Sequence, residues 1–171
     1  QARSGSARAA AEGADKGRCA SKGCYYYGAR LHVVAYRRAG SLPLIEWAQL
    51  SPASPNDLTA HKQFAHRLGT GALFGDKIYA DAPWQSTLSR EQALHLYVPV
   101  KRAKGQEALL LTERAYSEAV SRVRQPIESL FSWIEEQTGI EEASHVRSFQ
   151  GLLVHVFGRL SAALYLMMLN P

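Results

Sequence analysis

Runs of apolar and polar positions change period along the chain, and each period assigns an element. From Cys24 to Tyr36 the residues are aromatic and β-branched, which predicts a strand, and Arg37-Arg38-Ala39-Gly40-Ser41 reads as the turn after it. Leu42 to Leu50 predicts a second strand, closed by Ser51-Pro52-Ala53-Ser54-Pro55-Asn56, whose two prolines forbid helix and central strand alike. Leu58, Phe64, Ala65 and Leu68 recur at helical spacing, with His61, Lys62, His66 and Arg67 on the other side; Gly69-Thr70-Gly71 ends this helix. Ala72-Leu73-Phe74-Gly75 is a short apolar run of the kind a strand buried on both faces shows, and it delivers Asp76 at its carboxyl end. Asp81 as cap and Pro83 in the first turn predict a short helix through Leu88. The aliphatic residues alternate in Leu94-His95-Leu96-Tyr97-Val98-Pro99-Val100, a strand that Pro99 pushes to an edge or an end.

The remainder is helical. Val120, Val123, Ile127, Leu130 and Ile134 form one apolar stripe, which Pro126 must kink or restart. Val146, Phe149, Leu153, Val156, Leu160, Leu164 and Met167 form a second, most simply core; any exposed part of it would make a partner surface. The order strand, strand, helix, strand, helix, strand, helices describes an α/β domain, a mixed sheet with helices packed on it. Residues 1–23, built of Ala, Gly, Ser, Arg and Lys without apolar period, read as a flexible basic segment ahead of one domain spanning 24–171.

Composition narrows the function. The 171 residues, 46% hydrophobic and 20% charged, suffice for one cored domain and exclude a disordered tail. Twenty Lys and Arg against 15 Asp and Glu give a net charge of +5, which favours a polyanionic partner. Two cysteines, Cys19 and Cys24, without a secretory apolar region point to a reducing cytosol, and their spacing, even with His32 following, does not make a zinc site. Gly151 to Leu169 is interrupted by His155 and Arg159, so the expectation is a soluble protein with no membrane partner. No glycine-rich nucleotide-binding motif follows any strand.

Two carboxylates carry the candidate chemistry. Asp76 ends the most buried-looking strand, where open α/β sheets place their ligands. Glu128 lies beside the stripe containing Ile127 and Leu130, with Arg124 one turn earlier, able to hold the carboxylate or contact a phosphate. Brought together, the two would make an oxygen-rich site suited to Mg²⁺ or Mn²⁺. Two such ions about 3.5–4 Å apart activate a water or 3′-hydroxyl in phosphodiester chemistry. Against this stands the plainer reading: Asp76 as a turn former, and Arg124 with Glu128 as a surface ion pair. Lys101, Arg102 and Lys104 form a positive loop that either meets DNA phosphates or is merely solvated; Lys77, beside Asp76, also suits a phosphate backbone. Tyr25, Tyr26 and Tyr27 suit base stacking or, more commonly, the sheet itself, and His61, His66 and His155 receive no role.

In order along the chain, Tyr26-Tyr27-Gly28-Ala29-Arg30-Leu31-His32, Ser51 through Asp57, Gly75-Asp76-Lys77-Ile78-Tyr79, Arg124 through Ser132 and His145 through Gly151 resemble motifs of the DDE transposases of bacterial insertion sequences. The resemblance implies a ribonuclease H-like fold with Asp76 and Glu128 as the second and third metal-binding carboxylates, Mg²⁺ or Mn²⁺ as cofactor, and transposon-end and target DNA as partners. It also implies strand cleavage and strand transfer as the reaction, a homodimer as a possible assembly and a bacterial cytoplasmic, nucleoid-associated location. The sequence departs from the family at Ser121, Glu135 and Ile78, where tyrosine, lysine and glycine are common. No aspartate-serine precedes Tyr25, and Asp15 stands in loop-like surroundings. The expectation is therefore a chain without the family's first aspartate and strand: a fragment, a degenerate reading frame or half of a split protein, with an incomplete metal site. Asp15 or Asp57 could stand in for that aspartate, though Asp57 better suits the first turn of a helix. The alternative is a non-catalytic DNA-binding or assembly module of the same fold.

Overall fold

The computed structural model describes residues 15–19, 23–143, 146 and 148–169. Among them the chain runs β1 (Asp15–Cys19), β2 (Cys24–Tyr36), β3 (Leu44–Pro52), α1 (Asp57–Phe64), β4 (Gly71–Phe74), α2 (Ala82–Gln92), β5 (Leu94–Tyr97), α3 (Leu111–Arg124), α4 (Pro126–Thr138) and α5 (Phe149–Leu169). Single 3₁₀ turns occupy Ala65–Arg67 and Lys77–Tyr79. This is a mixed α/β fold with antiparallel and parallel strand pairing and flanking helices, consistent with a ribonuclease H-like domain. Among the described residues the two kinds of pairing are divided between two sheets: β1-β2-β3 is antiparallel and β4-β5 parallel.

The chain forms two compact units. One comprises Gln1–Asn56 and Ser129–Pro171, the other Asp57–Glu128. In the first, β2 and β3 pair from Ala29 opposite Pro52 to Tyr36 opposite Leu44, with an irregularity between Val34 and Ala35. The helix α5 packs on β3, and its face of Val156, Leu160, Ala163 and Met167 is buried, as are Leu130 and Ile134 of α4. His32 and Ser51 are buried as a pair, with His32 Nε2 and Ser51 Oγ 2.8 Å apart. Ser51 Oγ also lies 3.0 Å from the carbonyl of Pro52, to which its hydroxyl donates.

The stretch read as loop contains a strand. Asp15–Cys19 pairs antiparallel with β2, Asp15 opposite Gly28 and Cys19 opposite Cys24. Its small and polar residues carry no period of two, so the pairing comes from the tyrosine-rich partner strand. Gln1–Ala14 lie outside the described residues.

In the second unit the core is Ala65, Leu88, Leu94, Leu96 and Val98, with Leu68, Leu73, Tyr79, Ala80 and Trp84 against it. The alternation in β5 is read out directly: Leu94 and Leu96 are buried, His95 and Tyr97 exposed. β4 is not buried on both faces; Gly71 and Ala72 are exposed and Leu73 and Phe74 half-buried, and among the described residues it pairs with β5 alone. The helix α2 begins as expected, with Asp81 accepting from the Trp84 amide at 3.1 Å and proline in the first turn. It ends at Ala93, whose φ of 50° closes the helix and turns the chain into β5. β5 stops before Pro99, and Pro126 restarts the helix, separating α3 from α4.

The helix α5 is long and apolar enough to cross a membrane by length and composition alone. His155 and Arg159 do not disqualify it on that test, contrary to the sequence expectation. His155 instead bonds the Ile140 carbonyl at 3.0 Å.

Leu88 is fully buried. Leu88→Ala is expected to lower the free energy of unfolding by about 2–5 kcal/mol, measured by urea denaturation, because the fixed backbones of β5 and α2 leave the cavity unfilled.

Candidate functional site

Asp76 follows β4 directly. The strand is held by β5 through hydrogen bonds from Gly71 N to the Ala93 carbonyl (3.0 Å) and from Gly75 N to the Tyr97 carbonyl (2.9 Å). Asp76 is exposed and caps the 3₁₀ turn: its Oδ1 accepts from the Lys77 amide at 2.6 Å, while its carbonyl accepts from Tyr79 N at 3.0 Å. It is thus the turn former of the plainer reading, yet only one carboxylate oxygen is used. Oδ2 has no hydrogen-bond partner among the described residues, which leaves it open to a ligand.

Glu128 stands in the first turn of α4. Its Oε1 accepts from Arg124 Nη2 at 2.8 Å; the glutamate side chain is 61% exposed and the arginine 27%. Exposed pairs of this spacing contribute only about 0.3–0.5 kcal/mol, so the bond orients the carboxylate more than it stabilises the helix. Arg124 Nε is buried and has no partner among the described residues, which leaves the guanidinium turned inward on one edge and bound to Glu128 on the other. Both acids therefore share one arrangement: one oxygen is held by the local scaffold and the other is open.

The structure joins Arg124 to Glu128 and Lys77 to Asp76, but among the described residues no group of three His, Cys, Asp or Glu side chains gathers that could hold a metal ion. Carboxylate oxygens suit Mg²⁺ or Mn²⁺ in kind. In number they fall short, so no reaction step through a metal is derived from this geometry.

The basic loop is a folded turn. Gln106 bonds back to Ala103 in both directions, N to the carbonyl at 3.1 Å and Oε1 from the Ala103 amide at 3.0 Å, and Gly105 takes φ 86°. Arg102 spends one amino group on the Glu107 carbonyl at 3.1 Å, and Lys101, Arg102 and Lys104 are all exposed.

Sequence reasoning misplaced His61. It is buried, not on the solvated side, because residues 57, 60, 61, 64 and 65 form one helical face. Its Nδ1 accepts from Trp84 Nε1 at 3.1 Å, and its ring meets those of Phe64, Tyr79 and Trp84 edge to face. Next to it Lys62 pairs with Asp81 at 2.7 Å. Asp15, in β1, bonds the Lys16 amide at 2.6 Å. The Ser54 hydrogen bond, then that amide, hold its carboxyl below the usual aspartate range. His145 and Arg147 of the last motif lie outside the described residues.

β4, paired parallel with β5, delivers Asp76 at its end, and α4 opens with the glutamate that Arg124 holds. The model of the transposase DDE domain matches residues 4–166, nearly the whole chain, and the chain belongs to that family. No curated protein and no solved structure matches it. Its general function is therefore that of a transposase, a family that works on DNA and generally uses divalent metal ions.

The Lys62 hydrogen bond, followed by the Trp84 amide, also holds the Asp81 carboxyl below its usual value. A lowered folded value stabilises the fold above the unfolded pKa and loses that contribution as pH falls through the folded one. Asp81→Asn, which keeps a capping side chain, is expected to melt below the parent at pH 7. The two melting temperatures should converge as pH drops below about 4.

Proposed function

We propose that this transposase domain carries out metal-dependent DNA strand cleavage and strand transfer for an insertion sequence, with Asp76 and Glu128 as two of the carboxylates that hold Mg²⁺ or Mn²⁺. The observation that carries the reading is the shared state of the two acids, each with one oxygen fixed by its own turn of backbone or arginine and one oxygen open. The chain's own residues orient the acids: the Lys77 amide fixes Asp76, and Arg124 fixes Glu128. Lys77, Lys101, Arg102 and Lys104 contact DNA phosphates, and Arg124 offers its remaining amino group to the same backbone. Two copies assemble on the transposon ends.

One observation favours a second reading, a DNA-binding module that does not cleave. Among the described residues no third acidic or imidazole group joins either carboxylate in a metal-holding cluster.

Fluorescence anisotropy with duplex DNA between 50 and 200 mM salt tests the polyanion contact. The affinity is expected to fall steeply with salt, and the combined Lys101→Ala, Arg102→Ala, Lys104→Ala variant to lose about 0.9 of logarithmic slope per phosphate contact removed. A salt-independent affinity, or an unchanged slope in the variant, contradicts the proposed contacts. Plasmid nicking with Mn²⁺ separates the two readings: nicking that disappears in Asp76→Asn supports the first, and binding without nicking the second.

A further inference from the structure

We propose that His61 is a positioning residue for Asp76, acting through Tyr79 and Trp84 to fix the turn that aims the carboxylate. The inference rests on Asp76 being a functional acid. Between β4 and α2 the chain has Gly75, Asp76 itself, the 3₁₀ turn Lys77–Tyr79, Ala80 and Asp81. Tyr79 lies directly over the preceding glycine: a Cβ on Gly75 would meet Tyr79 Cδ2 at 2.9 Å. The Tyr79 amide returns to the Asp76 carbonyl at 3.0 Å, so the ring that covers Gly75 belongs to the residue that closes the Asp76 turn. His61 is 4% exposed and sets that ring from behind, with centroids 5.4 Å apart and planes at 63°.

The histidine is itself oriented. Trp84 Nε1 donates to its Nδ1 at 3.1 Å, which requires Nδ1 to be the unprotonated nitrogen, and Phe64 packs edge-on at 5.3 Å. One residue on, Lys62 reaches Asp81 at 2.7 Å and lies 5.7 Å from the Trp84 ring centroid. Adjacent positions of α1 thus grip the segment from Tyr79 to Trp84, and Tyr79 in turn holds the Asp76 carbonyl. A leucine at position 61 would fill the volume but offer the indole N–H no acceptor. An asparagine would place an oxygen near the Nδ1 position.

Amide hydrogen exchange on the full chain, with a parallel Mn²⁺ titration, tests the proposal. His61→Leu is expected to lower protection of the Lys77, Tyr79 and Ala80 amides about tenfold. The Leu88 and Val120 amides should keep theirs, and His61→Asn should restore the turn. Trp84→Phe, which keeps the packing and removes only the N–H donor, is expected to reproduce the loss and serves if the leucine variant does not fold. Unchanged protection in His61→Leu, or in Trp84→Phe where the leucine variant does not fold, overturns the proposal. So does a loss that spreads equally to Leu88 and Val120, which marks a purely structural role. Weaker Mn²⁺ binding in His61→Leu, rescued in His61→Asn, extends the effect to the metal. If the exchange pattern holds while no form binds Mn²⁺, the positioning stands and the metal role of Asp76 falls.

Discussion

Two parallel strands cannot be joined by a tight turn, so the backbone pairing of β4 with β5 obliges the chain between them to cross over, and here α2 makes the crossing. That constraint shapes the second unit. The crossing helix must bury Leu88 against Leu94 and Leu96, the end of β4 must open into a turn before the helix starts, and Asp76 falls in that opening. The same geometry places ligands beyond the carboxyl ends of parallel strands in α/β folds generally. The position of Asp76 is thus a consequence of where the pairing stops.

What the acids share is partial satisfaction. A fully bonded carboxylate is a structural element, and a fully solvated one has no fixed direction. Asp76, held through the Lys77 amide, and Glu128, held through Arg124, sit between these cases. Holding one oxygen costs little in a solvated setting and restricts the position of the other, the property a metal ligand needs. Lys101 and Lys104 stand on a turn ordered by Gln106, so the positive charge is also presented from a fixed backbone.

Much of this was legible in the chain. The β-branched and aromatic run at Cys24–Tyr36, the alternation at Leu94–Tyr97, the Asp81 and Pro83 helix start and the break at Pro126 each have a local cause, and each element forms where that cause lies. The Asp76 turn and the Arg124–Glu128 ion pair were visible because their causes are local as well. The failures share the opposite property. β1 owes its existence to a partner strand, which its own small polar residues do not announce. His61 looked solvated because its polarity outweighed its place on the helical face of Phe64 and Ala65. The apolar run of β4 suggested a strand enclosed on both faces, whereas enclosure depends on neighbours that no local pattern specifies.

The proposed function requires Asp76 and Glu128, far apart in sequence, to hold one divalent ion. Isothermal titration with Mn²⁺ of the parent, Asp76→Asn and Glu128→Gln tests it most directly. The parent is expected to bind, and either substitution to weaken the same site at least about tenfold, as for direct ligands. Binding that is absent in the parent, or that survives unchanged in either variant, contradicts it.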